Sequence, residues 1–219
     1  MQRMARFLVP FLCLMPLSAA AHPHIFVDVG FDIVLDDAGS LTHLRVTWAY
    51  DDYYSLLITQ DLELDQDFDG ALTAEETDKL TGFDMQWVDG FNGDLEATLD
   101  DVPLDLSRPT EATAALKAGR IITTHVRSVA GAPVLAGHAL SLKPYDATYY
   151  TAYEIGQPVK LIGGAGCMLD QILPDVDAQL AQMREMLLEV DASTDLQDAG
   201  LPKMGAQFAT EIRVSCPAS

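Results

Sequence analysis

The sequence predicts an α+β fold: an antiparallel β-rich body that carries one inserted helix–acidic loop–helix and a C-terminal amphipathic helix. Three observations predict it. Apolar and polar residues alternate over 25–35 and again over 44–48, the period of half-buried strands. The acidic run DQDFDGALTAEE at 65–76 interrupts the strand pattern. Near the end, Val176, Leu180, Met183 and Leu187 recur at helical spacing, and this Met and Leu stripe is expected to face the core. The 219 residues, 49% of them hydrophobic, suffice for one core with an insertion.

The first residues read as a secretory leader. Arg3 and Arg6 precede the apolar run Phe7 to Leu17, and the small residues Ser18 to Ala21 close it. Cleavage after Ala21 makes 1-21 a signal peptide and leaves a single domain, 22-219, starting at His22. The apolar run is too short to cross a bilayer, and no later segment reaches the roughly 18 apolar residues that a spanning helix needs, so an exported protein without a transmembrane segment is expected. The chain has 13 basic and 33 acidic residues, a net charge of -20, which becomes -22 without the two leader arginines. A field of that sign repels nucleic acid and anionic lipid. Cys13 leaves with the leader. Cys167 and Cys216 remain, and in an oxidising compartment a disulfide is the default reading, against a two-thiol metal site.

In the first strand Ile25, Val27, Val29, Phe31, Ile33 and Leu35 share one face. The turn residues Asp37, Ala38, Gly39 and Ser40 lead into a second strand, where Leu44, Val46 and Trp48 alternate with His43, Arg45 and Thr47. Matching the apolar faces pairs Asp36 with Leu41, Ile33 with Leu44, Phe31 with Val46 and Asp32 with Arg45. Asp51 and Asp52 can cap a helix running from Tyr53 toward Leu64, with Leu57 and Leu64 on one stripe that Asp61 interrupts; a short or partly unwound helix is expected.

The acidic run has the spacing of an EF-hand calcium loop. Asp65, Asp67 and Asp69 alternate, Gly70 follows, and Glu76 stands eleven residues after the first Asp. A hard cation needs six to eight oxygens at about 2.3–2.6 Å. The aspartates would supply three, Ala71 a backbone carbonyl, Thr73 a direct or water-mediated oxygen and Glu76 two, while Gly70 allows the sharp turn and Leu72 anchors the loop to apolar surface. The bland reading is an acidic turn in an acid-rich chain. Leu80, Phe83 and Trp87 continue at helical spacing after the loop, with Gly82 weakening the interior, which gives an EF-hand-like insertion at 51-88. No second such loop follows, so binding is expected to be weak.

From Asp94 strands return at Leu95 to Leu106, Arg120 to Val129, Ala139 to Leu142, Tyr149 to Ile155 and Val159 to Ile162, with a last strand, Glu211 to Cys216, that carries its cysteine back to Cys167. One antiparallel assembly is expected. Nothing in the sequence supplies a nucleophile elbow, a phosphate loop or a dinucleotide fingerprint, and Gly163-Gly164-Ala165-Gly166 reads as a turn before a cysteine, so the chain is not read as an enzyme.

His22-Pro23-His24 at the processed amino terminus is a second metal candidate. A free amine and two imidazoles suit zinc, nickel, cobalt or copper, and Pro23 excludes chelation through its own amide because it has no N–H to lose. In an extended segment His22 and His24 point the same way about 6.6 Å apart, whereas Asp28 lies about 13 Å from His24 and reads as supporting or structural. His43, His125 and His138 are dispersed and read as surface or hydrogen-bonded residues.

AHPHIFVD at 21–28, VTWAYDDYYS at 46–55 before the acidic loop, SLKPYDATYY at 141–150 and the two terminal cysteines together resemble a family of exported bacterial proteins with an amino-terminal His-Pro-His motif. These proteins accompany nickel/cobalt-type permeases and include the ZevA-type zinc-acquisition proteins. The resemblance covers nearly the whole mature chain. It implies a periplasmic accessory that handles zinc, nickel or cobalt, with a divalent-cation permease of the inner membrane as partner. Two other readings stand beside it: an exported calcium-stabilised interaction module with incidental histidines, and a copper enzyme that uses the terminal histidine as a brace.

Overall fold

The structure, a computed structural model, describes residues 24–148, 150–189 and 205–218. The leader at 1–21 and His22 lie outside these residues. Strand β1 (Ile25–Leu35) pairs with β2 (Leu41–Tyr50) in the register that the apolar faces demand: Ile33 opposite Leu44, Phe31 opposite Val46, Asp32 opposite Arg45. At the turn Leu35, and not Asp36, meets Leu41 across a register shift. Asp36 is drawn out of the ladder because its carboxylate accepts the N–H groups of Ala38 at 2.9 Å and Ser40 at 2.8 Å, a local turn that outcompetes one more strand pair.

The first sheet continues through β5 (Thr110–Lys117) and β6 (Arg120–Ser128), in the order β5-β6-β2-β1. On the other side of β1 lie β8 (Thr151–Glu154) and β9 (Val159–Ile162), both parallel to it. The two share one edge of β1 end to end, β8 against residues 25–28 and β9 against 31–34. Gly30 stands where the link between them crosses. A Cβ there would lie 2.6 Å from both the Gln157 Cβ and the Pro158 carbonyl oxygen, so only glycine admits this approach.

A second sheet, wholly antiparallel, has the order β10-β11-β7-β3-β4: β10 (Met168–Ile172), β11 (Glu211–Ser215), β7 (Ala139–Pro144), β3 (Leu95–Leu99) and β4 (Val102–Pro103). The single antiparallel assembly expected is therefore two sheets, with parallel pairs in the first. The strand expected over 95–106 breaks at Asp100 and Asp101, both at positive φ (47° and 64°), which fold it into a hairpin. Val27, Val29, Phe31 and Ile33 of the first sheet and Leu140, Leu142, Ile212 and Val214 of the second belong to one buried cluster, the core of an α+β protein rich in strands.

Helix α1 (Asp52–Asp61) is regular and ends where Asp61 was expected to interrupt it. Its inner face differs from the Leu57 and Leu64 stripe. Leu57 is exposed, and Ser55, fully buried, takes the inward position with Tyr54 and Ile58. The Ser55 hydroxyl accepts the Ile121 N–H at 2.9 Å, so this buried polar side chain is satisfied from the sheet. Helix α2 (Ala74–Leu80) ends at its buried Leu80, and Phe83 and Trp87 pack from the turn beyond and not from the helix. Helix α3 (Val176–Glu189) forms where predicted, but its apolar stripe does not enter the core at the positions that can be described: Val176 is 48% exposed and Leu180 46%. A short α4 (Gly205–Phe208) precedes β11.

Cys167 and Cys216 form a disulfide that fastens the end of β11 to the turn before β10, across 49 residues. The double variant Cys167→Ser plus Cys216→Ser is expected to lose up to about 4 kcal/mol in urea unfolding, the loop-closure term for a cross-link of this span. A loss below about 1 kcal/mol would show that the bond constrains little.

Candidate cation site and the clamped end of strand β1

The acidic loop is built from its two ends. Leu64, buried just after α1, anchors the entry, and Leu72 packs against the core at the exit. Between them Gly70 takes φ +77°, and its N–H points back to the Asp65 carboxylate, 3.1 Å from Oδ1. Asp69 Oδ1 accepts the Ala71 N–H at 2.8 Å. Thr73 caps α2, its Oγ1 accepting the Glu76 N–H at 3.2 Å while Glu76 Oε2 accepts the Thr73 N–H at 2.8 Å. The other Glu76 oxygen accepts the Asp65 N–H at 2.8 Å, so the twelfth position of the loop is tied to the first. Hydrogen bonds from Thr73 and from the Asp65 backbone hold the Glu76 carboxyl below the usual carboxylate range. Lys79 donates to the Leu62 carbonyl and joins α2 to the end of α1.

Within this frame one oxygen each of Asp65, Asp67 and Asp69 lies within 4.8 Å of the others. Among the described residues this is the group of three or more His, Cys, Asp or Glu side chains close enough to share an ion. Glu76 is on the same loop, Thr73 has its hydroxyl engaged in the cap, and Ala71 follows the turn. Mutually close carboxylates with glycine at the bend are the donor set of a hard cation such as calcium.

The other sequence-predicted residues cluster elsewhere. His24 precedes β1; its N–H donates to the Tyr150 carbonyl at 2.8 Å and its ring lies 5.0 Å from that of Tyr150. On the opposite side Asp51 accepts the Phe26 N–H at 2.8 Å through Oδ2 and the Tyr54 N–H at 2.8 Å through Oδ1, so one carboxylate both fastens β1 and caps α1. Residues 24–28, the end of β2 with the start of α1, and Tyr150, far apart in sequence, thus meet at one end of β1. Asp28 is structural. It pairs with Arg120 at 2.8 Å, and Arg120 also donates to the carbonyls of Tyr50 at 2.6 Å and Ala49 at 2.8 Å. His43 contacts the Thr42 hydroxyl and His138 the Asp100 carboxylate, each in its own neighbourhood.

Sequence reasoning missed the polar groups between the sheets. Asp84 receives the Tyr50 hydroxyl at 2.8 Å and the Thr123 hydroxyl at 2.7 Å, and burial raises its pKa against those bonds. Beside it His125, 1% exposed, lies between Trp48 and Trp87, with ring centroids 4.9 and 5.6 Å away. Burial, with Arg127 nearby, pushes its pKa down to about 3 and keeps it neutral. The Arg127 guanidinium stacks on Trp87 at 4.8 Å and donates to the carbonyls of Asn92 and Ser107. Farther along, Asp94 accepts the Tyr153 hydroxyl at 2.9 Å and Glu96 that of Tyr145 at 2.9 Å. The only local signal for these pairs is the density of tyrosines at 50–54 and 145–153.

A family profile matches residues 7–216 of this sequence. The chain belongs to the family described as protein of unknown function (DUF1007). No curated protein matches it. The match to this DUF1007 chain takes in the clamped end of β1, the acidic loop, Cys167 and Cys216.

Burial is the main reason that the Asp94 pKa rises to about 6, with the Tyr153 hydroxyl opposing the shift. An unfolded aspartate titrates near 3.9, so the folded state binds the extra proton between about pH 4 and 6 and stability falls as pH rises through that window. Asp94→Asn, which keeps an acceptor for Tyr153, is expected to be more stable than the parent at pH 7, by about 1 kcal/mol after solvent screening, and equal to it near pH 4. Thermal melts of both proteins across that range check the sign.

Proposed function

We propose that this chain is an exported cation-binding accessory protein of a divalent-cation transport system, with Asp65 to Glu76 as a calcium-type site. The convergence of the Asp65, Asp67 and Asp69 oxygens within 4.8 Å carries the reading, because three carboxylates so close repel one another unless a cation or solvent lies among them. The disulfide supports an oxidising compartment such as the periplasm, and no helix among the described residues is long and apolar enough to cross a membrane. The transport role and the inner-membrane permease as partner rest on the resemblance to the ZevA-type proteins. In that role His22 and His24 bind zinc, nickel or cobalt at the processed amino terminus.

A second reading, a calcium-stabilised interaction module, is favoured by one observation. The His24 ring is packed on Tyr150, which gives this histidine a use in ordering the start of the sheet.

Calorimetry on the processed protein tests the loop. Calcium at millimolar concentration is expected to bind and raise the melting temperature, and Glu76→Gln to weaken binding about tenfold or more. No heat and no stabilisation at that concentration would overturn the assignment.

Zinc separates the two readings. Imidazoles bind metals only when neutral, so the transport reading expects zinc to be released on acidification while calcium stays bound at about pH 6. If His22→Ala plus His24→Ala leaves zinc affinity and its pH dependence unchanged, the amino-terminal site is wrong and the interaction module stands.

A further inference from the structure

Among the described residues the other edges of the two sheets are guarded by irregularity, brevity or an inner charge, whereas β8 is a regular strand whose one charge, Glu154, stands at its end. The outer strand β5 carries a register shift between Thr110 and Thr113 with Glu111 at φ +51°, irregularities that discourage a partner strand. Strand β4 is two residues long, β9 follows a proline and bears Lys160, and β10 has Asp170 at its centre. Strand β8 reads Thr-Ala-Tyr-Glu and, among the described residues, is hydrogen-bonded on one side only, to β1. Its outer edge faces a cavity of about 330 Å³. Five consecutive residues, Thr151 to Ile155, line one wall, and the opposite wall includes Gln171, Pro174 and Phe208. The edge therefore forms one side of a groove.

The backbone in that groove is turned outward. In a parallel pair alternate residues direct both N–H and C=O to the neighbouring strand. The Thr151 N–H points away from β1, into the Asp146 carboxylate at 3.0 Å, so the N–H and C=O of Tyr153, two residues on, point the same way. Among the described residues no strand pairs with them. The tyrosine side chain is held inside by Asp94, which fixes the backbone that carries these groups.

Charge narrows the occupant. Asp146 and Glu154 line the groove and, among the described residues, no Lys or Arg does, in a chain of net charge -20. We propose that the outer edge of β8 is a docking site for an extended basic segment of another protein, which adds as a strand through main-chain bonds to Tyr153 and is selected by Asp146 and Glu154. Strand addition beside a helix gives affinity through the backbone and specificity through the flanking side chains.

The probe is a blocked hexapeptide of alternating valine and lysine, titrated into the processed protein by calorimetry and amide hydrogen exchange, with three comparison peptides. Two carry N-methyl groups on alternate amides, in the two possible phases, and the third replaces lysine by glutamate. The expected result is binding of the valine-lysine peptide that protects the Tyr153 amide, falls about tenfold or more with one N-methyl phase and not the other, and weakens similarly with the glutamate peptide or with the exposed-site variant Glu154→Lys. Equal binding of both N-methyl phases would mean charge adhesion only and overturn the proposal, as would no binding at millimolar peptide. A Tyr153 amide already protected without peptide would show the edge filled by this chain itself, which also overturns it.

Discussion

Strand β1 is paired on both edges for almost its whole length, and the rest of the structure follows from that constraint. A strand with a neighbour on each side and Val27, Val29, Phe31 and Ile33 buried beneath it has little freedom of register, since a slip of one residue would turn that face to water. Its neighbours inherit the order. Strand β2 delivers Asp51 to cap α1, β8 delivers Tyr150 to His24, and the glycine at position 30 lets the chain pass from β8 to β9 without leaving the edge.

The acidic insertion is attached to this frame at a few points. Asp51 caps its first helix, Leu64 and Leu80 bury its two shoulders, and Asp84 joins the outgoing chain to Tyr50 and Thr123 of adjacent strands. The carboxylates of Asp67 and Asp69 remain at the surface on a loop whose ends are held. This separates two uses of acidic residues in one chain. Asp65, Asp67 and Asp69 hold their carboxylates close together on the loop, whereas Asp84, Asp94 and Glu96 each accept a tyrosine hydroxyl.

Some of this was legible in the sequence for definite reasons. The β1–β2 register could be read because both strands alternate and are joined by a short turn, and the acidic loop because its carboxylates are close in sequence. Strand β5 hid behind the alanines and threonines of 110–117, and β10 behind a five-residue stretch with one aspartate. The parallel partners of β1 could not be found, since pairing across more than a hundred residues leaves no local periodicity. The inner face of α1 was misread because a buried serine, satisfied by the Ile121 amide, stands where a hydrophobic pattern expects leucine. Asp84 and Asp94 resembled surface acids, because a lone carboxylate in a sequence does not show its burial.

The position of β11 has a consequence for how the molecule is made. This strand, the last in sequence among the described residues, lies between β7 and β10 and contributes the fully buried Ile212 and Val214. The second sheet therefore has a gap in its middle until β11 is available, and the partners that β1 finds in β8 and β9 also come late in the sequence. A chain emerging amino end first can form the β1–β2 hairpin early, but it cannot close the shared core. Closure of the shared core thus waits for β11.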